Sequence, residues 1–374
     1  MTYKPETVKQ NFSKLARIAH QFQPDAKITG ILQHGSGNIN STFLVTLEFQ
    51  QPFILQCLNT VVFCQPELVM NNICILSDYV HQQLQQIDLP TDRRWLMPRV
   101  LFTRQNKNHH VAEDGTFWRG ISFIDNSQSF DTIQNLHHAQ EIGYGLGMFH
   151  RLLHNLPTDK LADTLEGFHI TPRYLEHYER VKQEIDMKPS AEVNYCLQFI
   201  SDRPHLPNVL EDAKAAGKLD LRTIHGDPKI NNIMIDCATE EAVAMIDLDT
   251  VKPGLIHYDI GDCLRSGCNP LGEETSDWEA VTFDLELARA ILKGYLSVAR
   301  DFLTQNDYQY IYDSIRLLAF ELGLRFFTDY LQGNVYFNVG HAEHNLARAL
   351  VQFKLTDSIE SQSKTIKQAI AEMI

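Results

Sequence analysis

The sequence predicts an α+β protein in which a small β-rich lobe precedes a larger, mainly helical lobe. Three observations support this prediction. Short β-rich segments dominate the first third of the chain, helical patterns dominate from about residue 126, and polar loops interrupt the helical part near its middle. We expect the first lobe to span residues 1–125 and the second to span residues 126–374. Two lobes with polar loops at their junction are typical of an enzyme with a cleft.

The first lobe is predicted to contain an N-terminal helix, an antiparallel sheet and one further helix. The segments STFLVTLEF and QPFILQCL are rich in β-branched and aromatic residues and meet at residues 50–52, which indicates a hairpin. The segment PELVMNNICILSDYVHQQLQQ has apolar residues at helical spacing, with Pro66 near its start. The segment RVLFTRQNKNHHVAEDGTFWRGISFI predicts two strands around a turn at Asp114-Gly115.

The second lobe is predicted to be helical except near its middle. The segment SFDTIQNLHHAQEIGYGLGMFHRLLHNL predicts a long helix with Ser129 or Asp131 as its N-cap. The segments LRTIHGD, NNIMID and AVAMIDLDT then predict a strand, a loop and a hairpin, and the pattern is helical again from Asp277 onward.

Composition excludes several classes of function. Of 374 residues, 44% are hydrophobic and 21% are charged, the balance of an ordinary globular protein. The net charge of −14, without any Lys/Arg run, argues against a nucleic-acid partner, whereas ATP stays compatible because metal ions and local cations can carry its charge. Neither a signal peptide nor a run of 18 apolar residues is found, so we expect no membrane association and a cytoplasmic location. Seven cysteines without a Cys-x-x-Cys pair predict reduced thiols, and the oligomeric state is left open, with a monomer compatible.

The stretch TIHGDPKINNIMID collects chemically active side chains in one loop. His225, Asp227 and Asn232 follow the spacing of a kinase catalytic loop, and Asp247 ends an apolar strand further on. Phosphoryl transfer needs a group that orients the attacking hydroxyl and oxygen ligands that hold Mg²⁺. We therefore expect Asp227 to be the base, Asn232 and Asp247 to be metal ligands, Lys229 to be a mobile cation for the γ-phosphate, and His225 to brace the loop. A polar turn beside a surface carboxylate is the alternative, and the spacing of the complete set argues against it.

The stretches HGDPKINNIMID and AMIDLDTVKPGLIHYDIGD resemble the aminoglycoside phosphotransferase-type kinases, the phosphotransferase enzyme family. Within it, FILQCLNTVVF, IDLDTVKPG, YDIGDCLRSGCN and LRFFTDYLQGNVYF resemble the N-acetylhexosamine 1-kinases, from about residue 20 to beyond residue 350. The resemblance implies a protein-kinase-like bilobal fold, ATP and Mg²⁺ as cofactors, and phosphorylation of the anomeric hydroxyl of N-acetylglucosamine or N-acetylgalactosamine. It also implies that Asp259 braces the catalytic loop and that Arg325 and Tyr336 bind the sugar.

The expected phosphate-binding residues lie in the first lobe. Gly35, Ser36 and Gly37 in HGSGNIN are predicted to cradle phosphates, with an ordinary turn as the alternative. Gln56 occupies the place on the third strand where the wider superfamily carries a lysine, and the resemblance gives the hexosamine kinases a glutamine there. We expect Gln56 at the cofactor, although an amide carries no charge, which puts a lysine–glutamate pair with Glu67 in doubt.

Two further positions carry alternative interpretations. Asp249 lies two residues after Asp247, so on a strand both would share a face. We expect Asp249 to contact a sugar hydroxyl or the metal shell, with a structural hydrogen-bonding role as the alternative. Arg325 and Asp329 lie on one helical face and could instead form an ion pair.

The preferred function is therefore a sugar 1-kinase that binds a nucleotide and a small sugar. One alternative is a kinase for another hydroxylated small molecule, of the aminoglycoside, homoserine or choline type. A second is a non-catalytic ATP- or sugar-binding relative, which the missing strand lysine suggests and the complete catalytic loop opposes. A sulfatase is disfavoured because CQPEL at Cys64 has leucine where Cys/Ser-x-Pro-x-Arg requires arginine.

Overall fold

The computed structural model describes residues 12–35, 39–87, 89, 93–185 and 190–373. Strands dominate the first part of the chain and helices the second, so the predicted α+β class is confirmed. The first part contains α1 (Phe12–Phe22), β1 (Ile28–Gln33), β2 (Ser41–Leu47), β3 (Gln50–Leu58), α2 (Pro66–Leu84), β4 (Val100–Leu101), β5 (His110–Val111) and β6 (Phe117–Ser122).

These strands form one antiparallel sheet in the order β1-β2-β3-β6-β4, with β5 also paired to β6. The predicted β2–β3 hairpin and the helix that begins at Pro66 are both confirmed. The turn at Asp114-Gly115 joins β5 to β6, and the short strand β4 pairs with β6 as well. Thr42, Gln56 and Arg119 lie opposite one another on β2, β3 and β6, so their side chains share one face of the sheet.

The remaining elements build the helical part. They are β7 (Ser127–Gln128), α3 (Leu136–Leu153), α4 (Thr171–Glu184), α5 (Ala191–Ser201), α6 (Val209–Ala215), β8 (Arg222–Ile224), β9 (Ile233–Asp236), β10 (Ala242–Met245), β11 (Lys252–Gly254), α7 (Ile256–Gly267), α8 (Leu285–Ala299), α9 (Gln305–Gln309), α10 (Ile311–Leu331), α11 (His344–Ser361) and α12 (Ser363–Ala371). Strands β7, β9 and β10 form one small sheet, and β8 pairs with β11. The predicted boundary between lobes falls between β6 and β7.

The start of α3 differs from the prediction. The helix begins at Leu136, and Asn135 is its N-cap, with its side chain accepting a hydrogen bond from the amide of His138 at 2.8 Å. Asp131 instead accepts a hydrogen bond from the Asn231 side chain at 3.1 Å. The expected cap at Ser129 or Asp131 was wrong because the chain up to residue 134 is still irregular.

Helix α3 packs directly against α8, and two glycines allow the close approach. A Cβ atom at Gly143 would lie 1.8 Å from the carbonyl oxygen of Ile291, and one at Gly294 would lie 1.8 Å from that of Gln140. The two backbones therefore touch, which no larger residue would permit. This contact fixes α3, whose His150 contacts Asp259, the residue that anchors the catalytic loop described below.

The structure also bears on the thiol and membrane predictions. All seven cysteines are free thiols, as their spacing predicts. Within the ranges that the structure describes, no helix has both the length and the apolar character that crossing a bilayer requires.

Candidate active site

The catalytic loop lies between β8 and β9, and each of these strands is held by a partner strand. Its anchor is the buried carboxylate of Asp259, near the start of α7. The amide of His225 donates to Asp259 Oδ2 at 2.6 Å, and the amide of Gly226 donates to Oδ1 at 2.8 Å. His150 Nε2 lies 2.9 Å from Oδ2 and donates to it, because an ionised carboxylate can only accept.

The ionised form of Asp259 is maintained by these donors. Burial alone would raise its pKa. The hydrogen bond from His150, the electrostatic attraction of His150 and His225, and the amide of His225 together lower the pKa of Asp259 below the ordinary value. A carboxylate that stays charged inside the protein keeps its hydrogen bonds strong. The loop backbone just before Asp227 is therefore rigidly positioned.

His225 braces the loop from its other side. Its Nε2 atom lies 2.9 Å from the carbonyl oxygen of Ile246 and must donate to it, so Nδ1 is left to accept from the amide of Asp227 at 3.3 Å. Burial lowers the pKa of His225, which agrees with a neutral ring. Asn232 Nδ2 donates to the carbonyl oxygen of Asp227 at 2.7 Å, which closes the loop. His225 thus connects the loop to the segment that carries Asp247.

Asp227 and Lys229 both reach the cleft. Lys229 Nζ lies 3.0 Å from Asp227 Oδ2, and the two side chains are 43% and 30% exposed. Asp227 is the main cause that raises the pKa of Lys229, so the ammonium stays charged. The pair presents one acceptor of protons and one cation at the same opening, which is the combination that a phosphoryl transfer from ATP to a hydroxyl requires.

Asp247 lies beyond the end of β10, not on it. Its backbone is left-handed (φ 62°, ψ 57°) and a short 3₁₀ turn, Leu248–Thr250, follows. Its side chain is open to the cleft. Partial loss of hydration and the negative charges of Asp249 and Asp227 raise the pKa of Asp247 above its ordinary range. Since solvent reaches this side chain, the neighbouring carboxylates are the more important cause, and a cation here would relieve their repulsion.

Asn232 and Asp247 fit a Mg²⁺ ion that is also held by substrate phosphates. The amide of Ile246 donates to the carbonyl oxygen of Asn232 at 2.9 Å, which brings residue 232 beside the segment with Asp247. No group of three or more His, Cys, Asp or Glu side chains suited to a metal ion is found in the described ranges. Mg²⁺ does not need one, because it is commonly bound by one or two protein oxygens together with water and phosphate.

The position of Asp249 does not fit the expected contact with a sugar or metal. Its side chain is 3% exposed. Oδ1 forms an ion pair with Arg119, and Oδ2 accepts from Asn40 Nδ2 at 2.7 Å. The expectation assumed a continuous strand, but the left-handed backbone at Asp247 ends the alternation of faces. The structural alternative describes Asp249 better.

Gln56 is likewise engaged within the protein. Its Nε2 atom donates to Thr42 Oγ1 at 2.9 Å, and its Oε1 atom accepts from Arg119 Nε at 2.9 Å. The amide therefore links β3 to both of its neighbouring strands, and its oxygen and one of its two N–H donors are engaged within the protein. Glu67 is exposed on α2, and strands β1 to β6 contain no lysine with which it could pair. The cation on this face of the sheet is Arg119, which the sequence did not single out, although a charged residue in the segment FWRGIS was the available signal.

Only part of the glycine loop, the segment HGSGNIN at residues 34–40, can be compared with its prediction. Gly35 has a left-handed backbone (φ 74°), a conformation that glycine adopts without strain. Ser36 and Gly37 lie outside the described residues. Asn40 is the last residue of the segment HGSGNIN, and its Oδ1 atom accepts a hydrogen bond from the amide of Asn59 at 3.0 Å.

The guanidinium of Arg325, on α10, is surrounded by aromatic rings. It forms neither a hydrogen bond nor an ion pair with any residue in the described ranges. The guanidinium carbon lies 5.0 to 6.0 Å from the centroids of four rings. These rings belong to Phe168, Tyr174, Tyr336 and Phe337.

Arg325 lies on the side of the helical lobe that contacts the catalytic loop, because its neighbour Phe168 precedes His169, which bonds the carbonyl oxygen of Gly226. Burial opposes its charge, but Tyr174, Tyr336 and the carboxylates of Glu321 and Asp227 raise the pKa of Arg325 above the ordinary value. The structure therefore brings Arg325 and Tyr336 together, as the sequence predicts. An unpaired guanidinium near a candidate base is available for an acceptor molecule.

Asp329 organises the loop that carries Tyr336, a role that the sequence did not reveal. Its carboxylate accepts hydrogen bonds from all three amides of residues 335–337, at 2.8 to 2.9 Å, and from Asn345 Nδ2 at 2.8 Å. The alternative ion pair with Arg325 is not formed. Asp329 thus positions the exposed ring of Tyr336 through its backbone.

The buried His169 joins helix α10 to the catalytic loop. Its Nε2 atom lies 2.7 Å from the carbonyl oxygen of Gly226, and its Nδ1 atom lies 2.8 Å from Glu321 Oε1. Both neighbours are acceptors, so the ring is doubly protonated. Burial opposes that charge, but Glu321 and the hydrogen bonds raise the pKa of His169. Helix α10, which carries Arg325, is therefore linked through His169 to the loop that carries Asp227.

Solved structures with the same fold cover nearly the whole chain. An aminoglycoside phosphotransferase from Alicyclobacillus acidocaldarius has a TM-score of 0.64 at 15% identity, over 96% of each chain. A microcompartment-associated aminopropanol kinase has a TM-score of 0.63 at 14% identity, over 96% of this chain and 99% of its own. An amicoumacin kinase in complex with AMP-PNP and Ca²⁺ has a TM-score of 0.57 at 14% identity, over 95% and 94%. These similarities confirm the protein-kinase-like bilobal fold that the resemblance implied.

The family itself follows from the sequence match. The model of the phosphotransferase enzyme family matches residues 30–301, which is more than half of the chain. The matched range contains the glycine loop, the catalytic loop and the segment with Asp247. The chain belongs to the phosphotransferase enzyme family.

Proposed function

We propose that this phosphotransferase transfers the γ-phosphoryl group of ATP, with Mg²⁺, to the anomeric hydroxyl of N-acetylglucosamine or N-acetylgalactosamine. Asp227 orients the attacking hydroxyl and accepts its proton. Lys229 neutralises charge on the transferred group, and Asn232 and Asp247 hold the metal ion. Mg²⁺, when bound, neutralises charge on the phosphates. The amicoumacin kinase of similar fold was solved with AMP-PNP and a divalent ion, which supports a nucleotide and a metal ion as partners.

The observation that favours a neutral sugar is the guanidinium of Arg325, which forms no ion pair within the described ranges and lies among four aromatic rings. An aminoglycoside, an amino alcohol or choline would bring a second positive charge next to it. Like charges a few ångströms apart in a cleft repel each other. The hydroxyl and acetamido oxygens of a sugar can instead accept hydrogen bonds from Arg325, and the ring of Tyr336 offers an apolar face to the sugar ring. The resemblance of LRFFTDYLQGNVYF to the hexosamine kinases points to the same acceptor.

The non-catalytic alternative has less support. Asp227, Lys229 and Asn232 are connected in one braced loop that opens to the cleft. A protein that only bound its ligands would have no need of a base and a cation positioned together.

The test is a coupled ADP-release assay with MgATP over N-acetylhexosamines, plain hexoses, homoserine, choline and aminoglycosides. We expect release above the ATP-only background with N-acetylhexosamines, and the product should carry its phosphorus on the anomeric oxygen by ³¹P NMR. Asp227→Asn serves as the background control. Release that occurs only with the amines would reject the sugar proposal. Release with none, together with tight MgATP binding, would favour the non-catalytic alternative.

Arg325→Ala should raise the KM for the sugar by about 10- to 100-fold, the loss expected for one hydrogen bond from a charged donor. The KM for ATP should change little, because Arg325 lies on the acceptor side. Arg316→Ala is a matched control on the same helix, since Arg316 pairs with Asp313 away from the cleft. An effect confined to the KM for ATP would show that the acceptor assignment is wrong.

Asp247→Ala should weaken the binding of MgATP by about tenfold or more, which corresponds to roughly 1.4 kcal/mol. The physical reason is the loss of a metal ligand, so ATP binding in the presence of EDTA should not change. Isothermal titration calorimetry with and without Mg²⁺ measures both affinities. Asp125→Ala is the control because that side chain is exposed. Equal MgATP affinity in the Asp247 variant and the wild type would contradict the metal role.

A further inference from the structure

Arg119 is a charged residue in an otherwise apolar strand. Its side chain is 1% exposed, and it lies on the face of the sheet that it shares with Gln56 and Thr42. A buried guanidinium is costly unless partners satisfy its charge and its donors. The position therefore calls for an explanation beyond the packing of β6.

The partners of Arg119 come from both lobes. Nε donates to Gln56 Oε1 on β3 at 2.9 Å, and Nη1 pairs with Asp249 Oδ1 in the second lobe. The other oxygen of Asp249 accepts a hydrogen bond from Asn40 Nδ2 at 2.7 Å, and Asn40 is the last residue of the glycine loop. A single carboxylate is thus held by a strand of the first lobe and by the end of the loop expected at the phosphates.

Asp249 connects Arg119 to the segment of Asp247, the candidate metal ligand. It lies in the 3₁₀ turn that directly follows Asp247. The turn is held from two further directions, because Thr164 Oγ1 donates to the carbonyl oxygen of Asp249 at 3.0 Å and Thr250 Oγ1 donates to that of His225 at 2.8 Å. Loss of the Asp249 side-chain contacts with Arg119 and Asn40 would leave these two hydrogen bonds to hold the turn that directly follows Asp247.

We propose that Arg119 is a positioning residue of the nucleotide and metal site, which acts through Asp249 to hold Asn40 and Asp247 at a fixed separation. In this chain the cation that fixes the first-lobe sheet to the phosphate site lies on β6 and bonds a carboxylate of the opposite lobe. Gln56 serves as the second acceptor that orients the guanidinium. This inference rests on the nucleotide and metal site of the proposed function.

The experiment compares Arg119→Met, Arg119→Lys and Asp249→Asn with the double variant Arg119→Met/Asp249→Asn. We measure MgATP affinity by calorimetry, the KM for MgATP and for the acceptor, and the melting temperature. Arg119→Met should raise the Kd and KM for MgATP tenfold or more and leave the acceptor KM within twofold. The double variant should be no weaker than Arg119→Met alone, because both residues act through one contact. Arg119→Lys should recover part of the affinity, since an ammonium can still meet Asp249.

Arg203→Met is the matched control for the loss of an arginine ion pair. Arg203 contacts Glu360 of α11, and neither belongs to an element that carries site residues. This variant should lower the melting temperature and leave MgATP binding unchanged. Asn40→Ala gives an independent test should Arg119→Met fail to fold, and it should raise the Kd for MgATP several-fold.

The outcomes separate this inference from the proposed function. Folded Arg119→Met, or Asn40→Ala in its place, with MgATP affinity within twofold of the wild type would overturn the inference while leaving the kinase intact. A loss of melting temperature equal to that of Arg203→Met, without any shift in MgATP affinity, would also overturn it, because it would show a purely structural ion pair. Wild-type protein that fails to bind MgATP would instead reject the nucleotide site itself.

Discussion

Asp227→Asn is expected to lower kcat by about 10²- to 10⁴-fold, the range that positioned general bases contribute. Asparagine keeps the shape of the side chain but cannot take up the proton of the attacking hydroxyl. The backbone contacts that hold this residue come from Asn232 and His225 and do not involve its carboxylate group. The loop should therefore keep its conformation, and MgATP affinity by calorimetry should stay within about twofold of the wild type.

Asp131→Asn is a suitable control for this experiment. Asp131 contacts the same loop through the side chain of Asn231 but does not reach the cleft pair of Asp227 and Lys229. Its kcat should stay close to that of the wild type. An Asp227→Asn enzyme that turned over at nearly the wild-type rate would show that another group accepts the proton.

Asp259→Asn is expected to destabilise the protein by about 2–5 kcal/mol and to lower kcat. The carboxylate accepts from the amides of His225 and Gly226 and from His150, all of them buried. An asparagine amide turns one acceptor into a donor, so that one of these donors loses its partner if the new NH₂ group replaces Oδ1, and two if it replaces Oδ2, at about 1–3 kcal/mol each. The hydrogen bonds that remain are also weakened, because the acceptor is no longer charged. Denaturant unfolding gives the change in the free energy of unfolding, and the ADP-release assay gives kcat.

The matched variant for Asp259→Asn is Asp329→Asn. Asp329 is also a buried carboxylate that accepts backbone amides, but those amides belong to the loop with Tyr336. The stability losses should be similar, whereas the kinetic effects should differ. Asp259→Asn should mainly reduce kcat, and Asp329→Asn should mainly raise the KM for the acceptor. Identical kinetic changes in the two variants would indicate general loosening of the protein and would contradict the separate positioning roles.

The sequence places residues together most directly where they are close in the chain. Asp227, Lys229 and Asn232 fall within six positions, so the short loop alone brings them together. The β2–β3 hairpin and the helix at Pro66 depend likewise on local turn chemistry and on periodicity. These are features that a few neighbouring residues decide.

The errors arose where the backbone departs from a regular pattern. The assumption of a continuous strand through Asp247 placed Asp249 on the same face, but the left-handed residue 247 turns the chain into a 3₁₀ turn. The cap of α3 was expected too early because Asp131 is a good capping residue by type, whereas it bonds Asn231 across the chain instead. Residue preference alone does not distinguish these outcomes.

The sequence by itself determined the fold class, the catalytic loop and the residue types available for phosphoryl transfer, because spacing and periodicity act over a few residues. Only the tertiary structure decided which distant side chains share one hydrogen-bond network. Arg119 and Asp249 are 130 positions apart, and His169 and Glu321 are 152 apart. Such pairs form when packed elements bury charged groups that must then be satisfied, and that requirement depends on the final arrangement of the two lobes.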